Sequence, residues 1–207
     1  MKTYYHINKN EQCSWKVGDE FELGSAENHF WSSFAEAGDS IDLNGSVYDV
    51  HLIAKTAFNA YVKNEPVPVQ MKGYHFNPLR TLQETLDSLG NSLKICRELS
   101  FEAIRREFYP ELPSRLRCIW LIPDNNASLE FWRNVLPNGH QRIFKVAIPE
   151  SRAVKIHRAA QKWLIGGTFS LKRWNELAHS YWKGEDSGAG DDEVLFEGKF
   201  KIIEEII

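Results

Sequence analysis

Glu193, in Asp191-Asp192-Glu193-Val194, is the carboxylate of this chain best placed to act on a substrate. An acidic cluster ends there, and behind it Val194, Phe196, Phe200 and Ile202 recur on one parity, the period-two mark of a half-buried strand. A carboxylate at the mouth of such a strand is held by rigid backbone and can face a cleft, which one in the preceding Gly/Asp/Ser loop cannot. At the other end, the segment Thr3 to Asn8 puts His6 among tyrosines and an isoleucine on a second strand. Its neutral ring can donate one hydrogen bond and accept one. Each residue also has a plain reading: Glu193 as one of several solvated carboxylates beside a loop, and His6 as a strand histidine satisfied by backbone.

The elements that must position these groups are legible in order. After the first strand, Cys13 to Leu23 gives a turn at Gly18-Asp19 and a short strand. Helices are expected over 26–37, ended by Gly38, and over 48–63, with Pro66 and Pro68 beyond. The clearest helix is Asn77 to Glu98, where Asn77 caps, Pro78 suits the first turn, and Leu79, Leu82, Leu86, Leu89 and Leu93 form a stripe expected to pack in a core. Another starts at Ser100, read as its cap, and ends before Pro110. Then come a buried strand, Leu116 to Ile122, a helix, Ala127 to Leu136, stopped by Pro137 and Asn138-Gly139, and a strand, Arg142 to Ile148, which Ala153 to Ile156 extends. A short helix ends over Trp163 to Gly167, a longer one capped by Ser170 runs through Tyr181, and a polar loop spans Gly184 to Asp192. Strands, a helical block over about 26–110, then strands with interposed helices describe an α+β domain carrying a helical insertion.

Composition narrows the class. The 207 residues, 43% hydrophobic and 13% aromatic, can bury one sizeable core and are read as a single domain over 1–207. No apolar run reaches the length of a membrane span and no basic-then-apolar leader opens the chain, so the expectation is a cytoplasmic protein without membrane partners. Cys13, Cys96 and Cys118 are widely spaced in apolar contexts and read as reduced core residues without metal spacing. The net charge of −3 hides an uneven distribution: residues 94–173 hold 15 basic and 7 acidic side chains. Such a basic middle can hold a pyrophosphate or a nucleic acid, or be a solvated helix face. No G-x-G-x-x-G follows a strand, which argues against a dehydrogenase, and no His/Cys cluster, G-x-S-x-G or Cys/His pairing points to a metal enzyme or a hydrolase.

The opening HIN, followed by WKVGDEF, resembles the first motif of the ADP-ribosyltransferase superfamily, and is especially similar to the rifampin ADP-ribosyltransferases and the His-Tyr-Glu branch. The closing EVLFEGKFKI is similar to that superfamily's last motif, and LRCIWLI, NNASLEFWRNVL and RIFKVAIPE resemble its middle. The similarity covers residues 3–23, 113–156 and 191–203 and leaves 26–110 unexplained. Where the family has a tyrosine in the middle strand, this chain has Trp120.

The resemblance implies an ADP-ribosyltransferase-like split β-sheet core and NAD as donor substrate. Breaking the nicotinamide–ribose bond leaves oxocarbenium-like charge on the ribose, as in glycoside cleavage, and a fixed carboxylate stabilises it and takes a proton from the attacking group. Glu193 is assigned that role, with Asp191 and Asp192 as neighbours. His6, followed by Asn8 in the same motif, would bond a cofactor ribose. Tyr5 or Trp120 would sandwich the nicotinamide, with Tyr4, Trp132 and Tyr181 as further aromatic candidates. Ser114 and Arg115 would meet the phosphates. All of this requires His6 and Glu193 to line one hollow.

Bacterial members of that superfamily without a secretion signal include toxins of toxin–antitoxin and phage-defence systems. Others modify drugs; the helical insertion suits a macromolecular acceptor or a neutralising antitoxin partner better than a drug, and the basic middle puts RNA or DNA ahead of protein. The alternative is a non-catalytic interaction module, with Trp31, Trp132 and Trp182 serving a protein interface.

Overall fold

The computed structural model describes all residues except 11, 30, 33–39, 44–45, 67–77, 137–140, 152, 165–169 and 207. The chain divides into two compact units: Met1–Trp31 with Arg97–Ile207, and Ser32–Cys96.

The first unit is built on an antiparallel six-stranded sheet. Its strands are β1 (Lys2–Asn8), β2 (Glu20–Leu23), β5 (Ile119–Pro123), β6 (Arg142–Ile148), β7 (Lys155–Ala160) and β8 (Asp192–Ile206). β8 organises it. Its first half pairs with β5, as Trp120↔Leu195, and with β7, as Ala159↔Glu193, while its second half pairs with β2, as Phe21↔Phe200, and with β6, as Val146↔Ile202. β1 lies between β5 and β6, so the path from β8 through β5, β1 and β6 returns to β8.

Gly198 sits where the partners change, with φ of 137°, and a Cβ there would come within 3.3 Å of Val154 Cγ2. A side chain would be strained in both backbone and space, so glycine is the residue that fits. The sequence expectation of one-sided burial holds only for the second half, where Phe200 and Ile202 are buried; from Asp192 to Glu197 every residue is buried. The apolar parity of β8 packs into a cluster of Ile119, Leu121, Phe144, Val146, Val194 and Phe196, with Tyr4, Trp15 and Phe21 at its margin. On the opposite parity, Tyr5, Ile122, Leu129 and Ile143 form a second cluster with Trp132.

Helices cover that second side. α3 (Asn126–Val135) is capped by Asn125, whose side chain accepts from the Ser128 amide at 2.8 Å. α4 (Leu171–Trp182) is capped by Ser170, as its sequence predicts, and buries Trp174, Leu177, Ala178, Tyr181 and Trp182 at spacings of three and four. Trp182 Nε1 donates to the Phe101 carbonyl at 2.8 Å, tying α4 to the C-terminal part of α2 (Pro78–Phe108).

The second unit holds the hairpin β3 (Ser40–Leu43) and β4 (Ser46–Asp49), then α1 (Val50–Lys63). Asp49 caps α1 by accepting from the Leu52 amide, and Asn64, at φ 54°, ends it. Ile53, Ala54 and Ala60 are buried while Tyr61 is exposed.

Several expectations are corrected. The helices expected to part at Ser100 are one helix, because residues 98–105 present Glu98, Phe101, Glu102, Ile104 and Arg105 to a single buried side and nothing there breaks the backbone. The leucine stripe of that helix is not all core, since Leu86 and Leu89 are exposed. The strand expected from Leu116 begins at Ile119, because the Arg117 and Cys118 amides donate to the Ser114 carbonyl and make a turn. The stretch after Pro149 forms a separate strand, β7, and does not prolong β6. Of the cysteines only Cys118 is buried; Cys13 is half-buried and Cys96 exposed. The expected Asn77 cap, the end of the 26–37 helix at Gly38, the Pro137–Gly139 stop and Gly166-Gly167 lie outside the described residues.

Candidate active site

The segment Pro113-Ser114-Arg115 enters the sheet between α2 and β8 and is bolted to both. The Ser114 amide donates to Glu197 Oε1 at 2.8 Å and its hydroxyl to Glu102 Oε2 at 3.0 Å. Glu102 also accepts two bonds from Arg105 and one from Arg106. Arg115, 4% exposed, donates through Nε to Glu98 Oε2 at 2.6 Å and through one terminal nitrogen to the Tyr181 hydroxyl at 2.6 Å. The same nitrogen donates to Glu193 Oε1.

Glu193 is therefore not a solvated carboxylate. Its side chain keeps 7% of its surface exposed and is held by Arg115 and by the Tyr181 hydroxyl. Both bonds fall on Oε1; no described residue donates to Oε2. The charges alternate along Arg97, Glu98, Arg115 and Glu193, which offsets the cost of burying each. Burial pushes the Glu98 carboxyl up, but Arg115 and Arg97 outweigh it and hold it below its ordinary value. Burial pushes the Tyr181 phenol well up, so it stays protonated and donates.

His6 and Glu193, expected to line one hollow, do not share a face of the sheet: His6 has the parity of Tyr4, on the side of Val194, Phe196 and Trp15, whereas Glu193 and Trp120 alternate onto the side of Tyr5 and Ile122. The last register pair between β1 and β5 is Tyr5↔Ile122, and beyond it the imidazole bridges the strands, with Nδ1 2.9 Å from the Trp120 carbonyl. A carbonyl only accepts, so Nδ1–H donates and Nε2 keeps its lone pair. Burial pulls this histidine down to about 4, so the ring is neutral near pH 7. Its other neighbour is Trp15, with ring centroids 5.1 Å apart. The Arg115 guanidinium lies 5.9 Å from the centre of the Trp120 ring. Trp120 thus bonds the imidazole through its main-chain carbonyl and has the Arg115 guanidinium beside its indole.

The other sequence-based assignments fall elsewhere. Tyr5 is buried in the cluster with Ile122 and Leu129, on the face of β1 opposite Tyr4, and cannot share a stack with His6. Trp132 packs in that cluster and donates Nε1–H to the Asp192 carbonyl at 2.8 Å, a structural tie. Asn8 closes the strand by accepting from the Asn10 amide at 2.9 Å. Ser114 and Arg115, expected at phosphates, are committed to carboxylates of the protein itself. Asp192 is bound by Arg158 and by the Gly188 amide, leaving Glu193 as the acid of that run near Trp120.

Sequence reasoning missed Glu98, Glu102 and Glu197. The signal was present for the first two: they sit one helical turn apart and flank Phe101 on the buried side of α2.

Much of the basic middle is paired: Arg97, Arg105, Arg106, Arg115, Arg142, Lys145, Arg158, Lys162 and Arg173 each contact a carboxylate. That pairing mutes the field the sequence suggested. A cleft of about 450 Å³ lies elsewhere, between Phe21, Pro149, Phe200 and Lys201, away from Glu193. Among the described residues, no group of His, Cys, Asp and Glu can hold a metal ion and no helix is long and apolar enough to cross a membrane.

A family model described as a protein of unknown function (DUF2441) matches residues 4–207. No curated protein matches the chain.

Proposed function

We propose that this chain, which belongs to the DUF2441 family of proteins of unknown function, is an NAD-dependent ADP-ribosyltransferase that uses Glu193. The observation carrying this reading is the state of that carboxylate: fixed on a strand by two donors to Oε1, with Oε2 uncommitted among the described residues. A purely structural carboxylate facing a guanidinium would gain from a two-oxygen bidentate pair. Trp120 lies on the same face of the sheet as that carboxylate, which supports a nicotinamide beside it.

In the reaction the bond from ribose C1′ to the nicotinamide nitrogen breaks, its electron pair leaves with the ring, and positive charge develops on the ribose. Oε2 faces that charge and receives the proton that the acceptor nucleophile sheds as it bonds C1′. Trp120 supplies an aromatic face to nicotinamide. His6, Tyr5, Asn8, Ser114 and Trp132 drop out of the cofactor set. Arg115 serves Glu193 in place of the phosphates.

The acceptor we propose is a macromolecule, nucleic acid ahead of protein, in the manner of a toxin held by an antitoxin. The excess of basic side chains over residues 94–173 supports that order.

A second reading has an observation of its own. Glu193 is nearly buried and already neutralised by Arg115, which suits a non-catalytic module whose ion network only locks the sheet to α2 and α4. Incubating the protein with NAD and measuring free nicotinamide separates the two. The enzyme reading expects release that falls on the order of 10²–10³-fold in Glu193→Gln. Equal, negligible release from both proteins would leave the module.

A further inference from the structure

We propose that Tyr181 is a positioning residue for Glu193: its hydroxyl fixes Oε1 and thereby keeps Oε2 free for the reacting ribose. The inference rests on the ADP-ribosyl-transfer reading above and assigns a role to a residue of α4 that lies outside the segments resembling the superfamily.

Three features carry it. The order of donors is fixed by chemistry: guanidinium has only hydrogens to give, so the phenol oxygen accepts from Arg115 at 2.6 Å and its own hydrogen goes to Glu193 Oε1. The phenol is rigidly mounted. Tyr181 is fully buried, its ring packs against Phe101 at 5.3 Å, Trp182 at 4.9 Å and His157 at 5.7 Å, and its carbonyl accepts from His157 Nε2 at 2.9 Å.

Third, the geometry has a clear alternative that the phenol prevents. Guanidinium and carboxylate pair best through two parallel bonds that occupy both oxygens. Here Arg115 turns Nε and its second terminal nitrogen to Glu98, and gives Glu193 only one nitrogen, whose bond the phenol reinforces on the same oxygen. Without the hydroxyl, the carboxylate is free to rotate and bring both oxygens to the guanidinium.

The test compares nicotinamide release by the intact chain, Tyr181→Phe, Glu193→Gln, and a variant with 4-aminophenylalanine at position 181, which restores a para donor. With NAD as substrate, Tyr181→Phe is expected to lower kcat about 10–100-fold, the worth of one hydrogen bond to a charged group, with KM within twofold. The aminophenylalanine variant is expected to recover kcat to within fivefold of the intact chain.

A Tyr181→Phe protein with unchanged kcat, while Glu193→Gln is inactive, overturns the positioning role and leaves the transferase reading intact. So does a rise in KM without loss of kcat. No release by the intact chain above Glu193→Gln removes the reading and this role together. Should Tyr181→Phe not fold, the aminophenylalanine variant decides alone, and a kcat loss beyond fivefold in that protein overturns the proposal.

Discussion

Replacing Arg115 with methionine, which keeps the length of the side chain and deletes its charge, isolates what the buried network contributes. Arg115 is 4% exposed and bonds Glu98, Tyr181 and Glu193. Glu98 retains Arg97, at 2.8 Å, but Glu193 is left with the phenol alone. Breaking a buried pair on one side costs about 3–5 kcal/mol. For a chain of this size each kcal/mol lowers the melting temperature by about 2–4 °C, so a drop of roughly 6–20 °C is expected at pH 7.

The pH dependence follows from Glu98. Its folded carboxyl is held below the unfolded 4.5, so its contribution is present above about pH 4.5 and is lost as pH falls through the lower folded value. In the variant the burial of Glu98 is less opposed, its carboxyl protonates more readily, and the deficit relative to the parent should narrow below about pH 4.5. Denaturant titrations of parent and variant at pH 7 and pH 4 measure both quantities. Adding Glu98→Gln and Glu193→Gln should return most of the lost stability, because no unpaired charge then stays buried. A deficit under about 1 kcal/mol at pH 7, or one as large at pH 4 as at pH 7, would refute the reasoning.

Other consequences are as direct. His6 is pulled from 6.5 down to about 4, so its contribution is in place above pH 6.5 and is lost as pH falls toward 4; the full shift is worth at most about 3 kcal/mol. A His6→Asn variant should lose part of the parent's stability difference between pH 7 and pH 5, the remainder coming from His157, whose buried ring is shifted the same way. An unchanged difference would show that His6 does not titrate with folding. Gly198→Ala should cost about 1–3 kcal/mol, since alanine there needs φ near 137° and meets Val154; a neutral result in thermal melts would show that β8 passes between its partners without needing glycine. Trp132→Phe, which removes the 2.8 Å bond to the Asp192 carbonyl, should cost about 1–3 kcal/mol by chemical denaturation. No change in midpoint would mean that the start of β8 is held without it.

The strands were legible where alternation is strong. Arg142–Ile148 matches residue for residue, and the terminal strands lie where their patterns put them. The helix from Ser170 was equally plain, because its cap and its spacing of buried residues agree. What failed was reading boundaries from single residues. Ser100 looks like a cap, yet nothing in the backbone stops there and the buried side continues through it.

The chain itself determined that Glu193 heads a strand, that His6 lies on another, and that an α+β fold joins them, since period, caps and turn residues are local properties. Only the tertiary structure decided that Glu193 is held by Tyr181 and Arg115 and that Arg115 faces carboxylates. Those are contacts between residues 12, 17 and 78 positions apart, and they depend on how strands and helices meet in space. Local patterning states which side of an element is buried. It carries no record of which charge will be found there.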